Sequence, residues 1–346
     1  MRHSGGIELT RASGFGPLPQ MFEARVGEQA LFKVFESAKL PIGLLSAPHT
    51  PIPVQAMMAL HERCARHLGD RTFGLTVGAA MMPAGYGLWG QFGISASTLG
   101  EALRRLEATF WAHQTGAYLE LVRDEDHWVW RYRTGRQFTS GHMQHSDHVI
   151  LPMIAVCQLY LGRTWWPEWV EVNYARDPDA RLFEEQIELP VRYGRRGTGF
   201  VLRPADLSRR RLDTDVPFPR PVALREVVAD AVLANAPEPA RSLSALVALR
   251  LLDGHTDLEG AAQLAGLSVQ GLQRRLRQKG FSYREIVDRA REARARAILK
   301  DTSMTVVDVA LMLGYEEHAN FTRAFRRWTG HSPTEFRRLC SGAQST

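Results

Sequence analysis

Two stretches in the last quarter of the chain, AAQLAGLSVQGLQRRL (Ala261–Leu276) and VALMLGYEEHANFTRAF (Val309–Phe325), carry one pattern. In each, an alanine (Ala262, Ala310) stands four residues before a glycine (Gly266, Gly314), and an apolar i, i+4 pair follows, Leu272/Leu276 or Phe321/Phe325. Two short helices that cross steeply need a small residue where they touch and a residue tolerant of positive φ where the chain turns. The apolar pair then docks the second helix on the first and leaves its other face to Gln, Arg, Asn and His. One such string is common at helix ends. Two, spaced 48 residues apart, read as paired helix-turn-helix units over about 258–279 and 306–328. Between them Ser282–Lys300 has helical spacing, with Ile286, Ala290, Ala293 and Ala297 expected inward and Glu285/Arg289 and Glu292/Arg296 as i, i+4 pairs. At 1.5 Å per residue it forms a strut of about 25 Å.

The strings DVALMLGY (Asp308–Tyr315) and FTRAFRRWTGHSPTEFR (Phe321–Arg337) resemble the signature of AraC/XylS-type transcriptional regulators, over about 80 residues in all. The resemblance implies a bacterial, cytoplasmic regulator that binds double-stranded promoter DNA and contacts RNA polymerase, more often activating than repressing. In a helix-turn-helix the first residues of the second helix face base edges, and flanking residues hold phosphates. Arg pairs bidentately with guanine and Gln or Asn with adenine. Gln270, Gln273 and Arg274 in the first unit, and His318, Asn320, Thr322 and Arg323 in the second, are therefore expected at the bases. Arg275, Arg277, Lys279, Arg326 and Arg327 are expected on phosphates. Two units on one chain should address successive major-groove faces about 34 Å apart.

Charge agrees with this placement. Residues 241–346 hold 17 Lys/Arg against 11 Asp/Glu, whereas residues 1–240 hold 26 of each, so the whole surplus of +6 accompanies the repeat. No apolar run approaches the roughly 18 residues of a membrane span, and no leader pattern opens the chain. Cys64, Cys157 and Cys340 are scattered and odd in number, which suggests no disulfide framework. They also lack the clustered, metal-bound cysteines of the alkyl-transfer repair proteins that share this kind of DNA-binding domain. With no hydrolase elbow or P-loop either, the chain is not expected to be an enzyme.

Upstream, residues 1–19 are Gly- and Pro-rich and read as a loose tail. Gln20–Leu40 and Pro53–Leu68 have helical spacing, Leu119–Arg123 and Trp128–Arg133 alternate as a hairpin, and His142–Leu161 is helical again. Residues 20–215 thus read as one α+β domain for effector sensing and dimerisation, 216–240 as a proline-bounded linker with one helix, and 241–340 as the all-α DNA-binding domain. The linker helix, Val222–Asn235, is a candidate for pairing two chains in a homodimer. More loosely, the N-terminal half resembles the arabinose-binding-type domain of one branch of the same family. That name denotes an architecture, and the small-molecule effector it implies is unidentified. Tyr86, Trp89 and Phe92, with Trp165, Trp166 and Trp169, either line an effector pocket or are plain core, which leaves a DNA-binding regulator without effector as the alternative. His142, His145 and His148 are spaced by three along a helix. The third rotates off the face, so at most two converge, and surface or capping histidines are expected, with no metal and no cofactor.

Overall fold

The computed structural model describes residues 7–124, 127–135, 141–212, 222–230, 240–278, 280–301 and 304–342. The chain divides into two compact units, one of Glu8–His49 and Pro53–Ala234, the other of Asn235–Thr346 with Met1–Ile7 and Thr50–Ile52. The first is α+β and the second all helical. No helix of the described residues is long and apolar enough to cross a membrane.

The N-terminal unit is built on a five-stranded sheet in the order Ala117–Asp124, His127–Thr134, Thr198–Leu202, Val170–Glu171, Val191–Arg192. All neighbours are antiparallel except the last pair. Period-2 alternation sends Trp130, Tyr132 and Phe200 into the main core and Val129 and Val201 to the opposite face, beside Trp169. Helices α1 (Leu18–Val26), α2 (Glu28–Ser37), α3 (Val54–Leu68), α4 (Phe73–Ala79), α5 (Gly87–Ile94), α6 (Leu99–Thr109), α7 (Met143–Leu161), α8 (Ala180–Ile187) and α9 (Leu224–Asp230) complete it. The long α7 runs through the main core and packs on α3 and α4. Its contact with α4 is backbone to backbone. A Cβ on Gly74 would stand 2.1 Å from the Gln144 carbonyl oxygen, and one on Gly78 2.4 Å from that of His148. Pro152 sits inside α7 and lacks the N–H that would bond to that same His148 carbonyl.

Three expectations change here. The tail is fixed from Glu8 onward: Leu9–Arg11 is a strand, Leu9 and Thr115 exchange hydrogen bonds of 2.9 and 2.8 Å, and Leu9, Phe15 and Leu18 are buried. Gly16, at φ 52° ahead of Pro17, shapes a turn, and Leu9, Ala12, Phe15 and Leu18 point inward. Gln20–Leu40 is two helices, broken where Gly27 takes φ 84°. The linker helix, α9, packs through Val222 and Val227 on Leu88, Trp89 and Phe92 of α5, so these apolar positions are spent within the N-terminal unit. The proline-rich stretch 213–221 and residues 231–239 lie outside the described residues, as do residues 1–6.

The C-terminal unit comprises α10 (Ala240–Arg250), α11 (Leu258–Leu264), α12 (Val269–Gln278), α13 (Tyr283–Asp301), α14 (Val306–Met312), α15 (His318–Thr329) and α16 (Pro333–Gly342). The repeat takes the expected form. Ala262 and Ala310 are 1% exposed, Gly266 and Gly314 adopt φ 64° and 72°, and both apolar pairs are fully buried. Three of the four helices of the pair start on a side-chain cap, Asp257, Ser268 and Thr305 accepting from the third residue on, whereas α15 has none; α13 and α16 start on reciprocal boxes, Ser282/Glu285 and Ser332/Glu335. Glu285 is therefore taken up by the cap, whereas the expected Glu292–Arg296 pair forms at 2.8 Å. The inward face of α13 also differs. Ile286 and Ala290 are buried as expected, but Ala293 and Ala297 are exposed, and Ala295 and Leu299 are buried instead. The first half of this strut packs on α10 and the second on the helices of the second repeat, so its apolar stripe changes face midway.

Candidate functional site

The exposed faces of α12 and α15 hold the residues expected at DNA. Gln270, Arg274 and Arg277 are exposed along one face of α12, with Ser268, Gly271 and Gln278 beside them in a shallow groove. Gln273 and Arg275 are half-buried, and Lys279 lies outside the described residues. On α15 His318, Asn320, Arg323, Arg326 and Arg327 are exposed and Thr322 is half-buried. Arg323 Nη2 donates to Asn320 Oδ1 at 2.5 Å, so two of the expected base readers are pre-arranged as a pair. Arg327 is shared with the scaffold, its Nη2 lying 3.2 Å from Asp288 Oδ2 on α13. The turn before α15 is held by Arg291 of α13, which donates to the carbonyls of Leu313 (2.9 Å) and Gly314 (3.1 Å) and lies over the Tyr315 ring. Guanidinium forks and an amide on the exposed faces of packed helices are suited to groove edges and phosphates.

In the N-terminal unit a cavity of about 70 Å³ lies between α3, α5, α6, the central strands and α7. Its walls are mainly apolar, with Trp89, Phe110, Trp130 and Met153, and carry a polar sector of His113, Gln114, Tyr132, His145 and His148. Trp89 stacks on His113 at 4.7 Å and 13°, and Gln114 Nε2 donates to the Tyr132 hydroxyl at 2.7 Å. Four lining nitrogens, Trp130 Nε1, His113 Nδ1, His145 Nδ1 and His148 Nδ1, are buried without a hydrogen-bond partner among the described residues. A buried polar atom left without a partner costs about 1–3 kcal/mol. Burial holds these imidazoles neutral: the pKa of His113 and of His145 falls to about 3, and that of His148 well below its ordinary value.

Of the six aromatics expected at a pocket, Tyr86 and Trp89 line this cavity and four do not. Phe92 packs against Val222 and Val227 with Arg105 over its ring, Trp165 sits edge-on to Phe200 in the core, and Trp166 is 48% exposed. Trp169 belongs to the opposite face of the sheet, under the Arg192 guanidinium. The chain from Trp165 to Trp169 leads into the Val170–Glu171 strand, away from the cavity. His142, His145 and His148 are 5%, 5% and 2% exposed, so the expectation of surface histidines fails. α7 is buried all round at its start, where Gln144 accepts from Gly74 N–H and donates to the Arg71 carbonyl, and Asp147 pairs with Arg71 at 2.7 Å. His145 and His148 do share a face, and meet His61 of α3. Nothing near His61 in the sequence pointed to it. Trp130 and Tyr132 were legible as alternate residues of a hairpin strand, and His113 and Gln114 were not.

Residues 31–210 match the family described as the arabinose-binding domain of AraC transcription regulators, N-terminal, and residues 261–339 match a helix-turn-helix domain family. The chain is 24% identical to the ornithine utilization regulator of Pseudomonas aeruginosa over 91% of its own length and 92% of that protein. It is 45% identical to the HTH-type transcriptional regulator VqsM of the same organism over 25% of this chain and 26% of that one. Among solved structures, that of the transcriptional regulator CdpR from Pseudomonas aeruginosa aligns over 92% of this chain and 98% of that chain, at 23% identity and a TM-score of 0.42.

Proposed function

This chain belongs to the AraC-type transcription regulators, with an arabinose-binding-type N-terminal domain and a helix-turn-helix DNA-binding domain, and from that premise we propose that it is a sequence-specific activator controlled by a small molecule. The effector would occupy the cavity between α3 and α7, and RNA polymerase and a second copy of the chain would be its partners. The observation that carries the effector reading is the set of four unpartnered buried nitrogens around one apolar cavity. An effector that binds one arrangement of the protein better than another shifts DNA affinity by that difference, through linkage. Gln270, Gln273, Arg274, His318, Asn320, Thr322 and Arg323 would read bases, and Arg275, Arg277, Lys279, Arg326 and Arg327 would hold phosphates. No enzymatic role is proposed. Cys64 and Cys157 are buried, burial pushes the pKa of Cys64 up to about 12, and the partly exposed Cys340 belongs to α16 of the other unit.

The test is selection of genomic fragments by the full-length protein at two salt concentrations, followed by thermal shift against small molecules. A two-box motif about one helical turn apart that survives the higher salt supports sequence-specific regulation. Binding without a motif that is released steeply by salt would reduce the DNA contact to charge alone. A ligand that raises the melting point, and loses that effect in Trp89→Ala, supports the cavity as its site.

A further inference from the structure

The buried histidines of α3 and α7 form a group with a geometry of its own. His61, His145 and His148 each offer a ring nitrogen that lies within 4.8 Å of the other two. Their ring centroids are 5.6 Å (His61–His145), 4.8 Å (His61–His148) and 5.7 Å (His145–His148) apart. Three imidazoles bound to one ion at about 2.0–2.1 Å, in tetrahedral directions, place their centroids roughly 5 Å apart. The observed triangle is close to that.

Each ring also leaves one nitrogen unused. His61 Nδ1 is 3.0 Å from the Met57 carbonyl, which fixes Nδ1–H and leaves Nε2 with its lone pair, buried and without a partner. His145 Nε2 faces the Tyr132 hydroxyl at 3.4 Å and His148 Nε2 faces the Met81 thioether, and on both the Nδ1 atom is the unpartnered one. At His61, one nitrogen on a backbone carbonyl and the other unused is the outer-shell pattern of ligating histidine; His145 and His148 share with it the single unused nitrogen. Two contacts seat the triad: Gly78 of α4 lies against the His148 carbonyl, and Gln144 N–H donates to the side chain of Glu62, next in sequence to His61.

We propose that His61, His145 and His148 bind one divalent transition-metal ion, of the zinc class, in the N-terminal unit. Imidazole nitrogens suit zinc, cobalt, nickel and copper over calcium or magnesium. In the required tautomers His61 ligates through Nε2 and the other two through Nδ1. His145 and His148 are also cavity wall, so the ion's fourth position faces the cavity. Three neutral ligands leave its charge uncompensated in apolar surroundings, which favours an anionic fourth ligand, hydroxide or the carboxylate of a bound molecule. The metal site stands on the triad alone, whether or not an effector enters the cavity.

The test uses the tag-free full-length chain, stripped with chelator and titrated with Co²⁺ and then Zn²⁺, each alone. The expected result is one Co²⁺ per chain with the visible d–d absorption of a four-coordinate site, displaced by Zn²⁺, and a melting point raised by Zn²⁺. His61→Gln, His145→Gln and His148→Gln should each abolish the absorption. Tyr132→Phe should weaken affinity roughly tenfold, the lower end of an outer-shell loss, and His67→Gln, an exposed histidine of the same helix, should change nothing. Absence of the absorption in wild-type protein, or its survival when His61, the ligand outside α7, is replaced in a chain that still melts cooperatively, overturns the proposal. A bound metal would take His145 Nδ1 and His148 Nδ1 and leave Trp130 Nε1 and His113 Nδ1 to an effector, whose binding is measured separately with organic ligands.

Discussion

The two units keep their candidate functional residues in opposite places. In the C-terminal unit these residues lie outside a core that does not need them: Arg274 and Arg323 are exposed while Leu272, Leu276, Phe321 and Phe325 hold the helices together. In the N-terminal unit they are the interior, Trp130, Tyr132, His145 and His148 serving as cavity wall and core at once. Function and stability should therefore separate under mutation in one unit and remain tied in the other. The largest effect that tests this is at Trp130, 1% exposed and packed on Phe200. Trp130→Ala should cost about 3–5 kcal/mol of stability in urea unfolding and enlarge the cavity. A loss under about 1 kcal/mol would mean that the cavity wall is dispensable to the fold, and the contrast between the units would fail.

Acid should divide the units next. Burial lowers the pKa of His61 to about 4 and of His113 and His145 to about 3, with Arg11 adding to the effect at His113. A folded-state pKa below the unfolded value means that the unfolded chain binds more protons as pH falls below about 6.5, so stability is lost from there downward until the folded-state values are reached. Each such group costs at most about 1.4 kcal/mol per pH unit in that window. In chelator-treated protein, melting at pH 7 and pH 5 should show the N-terminal transition falling well before the C-terminal one, whose His255, His318 and His331 are exposed. Equal shifts in both transitions would break the comparison.

The same division decides what was legible in the sequence. The helix-turn-helix pair is written locally: an alanine, a glycine four residues on and an i, i+4 apolar pair specify a crossing and a turn within some 16 residues, and Gly266 and Gly314 adopt the positive φ that the pattern requires. The α+β character of the first unit was legible in the same way, from periodicity within single elements. Its cavity was not, because His113, Trp130 and His145 meet through helix and strand packing, and no spacing along the chain encodes that meeting. The inward face of α13 failed for a related reason: one helix serves two neighbours on different faces, so a single 3.6-residue stripe cannot describe it.

Smaller effects sharpen the contrast on the DNA side. Arg323→Ala should leave the melting point within the range of ordinary surface changes, below about 0.5 kcal/mol. It should also cost about 1–3 kcal/mol on the best site while relaxing preference at one base pair, read by competition binding. Equal losses on specific and random duplex would remove it from base reading, and Asn320, its hydrogen-bond partner, would be suspect with it.

The smallest effect separates scaffold from contact at a single side chain. Arg327 is 59% exposed and pairs with Asp288 of α13 at 3.2 Å, and exposed pairs of this kind contribute about 0–1 kcal/mol. If Arg327 holds a phosphate, Arg327→Ala should weaken all sequences alike and lower the salt slope of binding by about one. Asp288→Asn removes the competing carboxylate without touching the guanidinium, so it should leave the slope unchanged and strengthen binding slightly, because Arg327 no longer gives up an ion pair to reach DNA. Both variants lose the same pair, so any difference between them belongs to the DNA contact. Should both weaken binding equally with no change in slope, Arg327 is a strut of α15 on α13, and the phosphate face of the second unit would rest on Arg326.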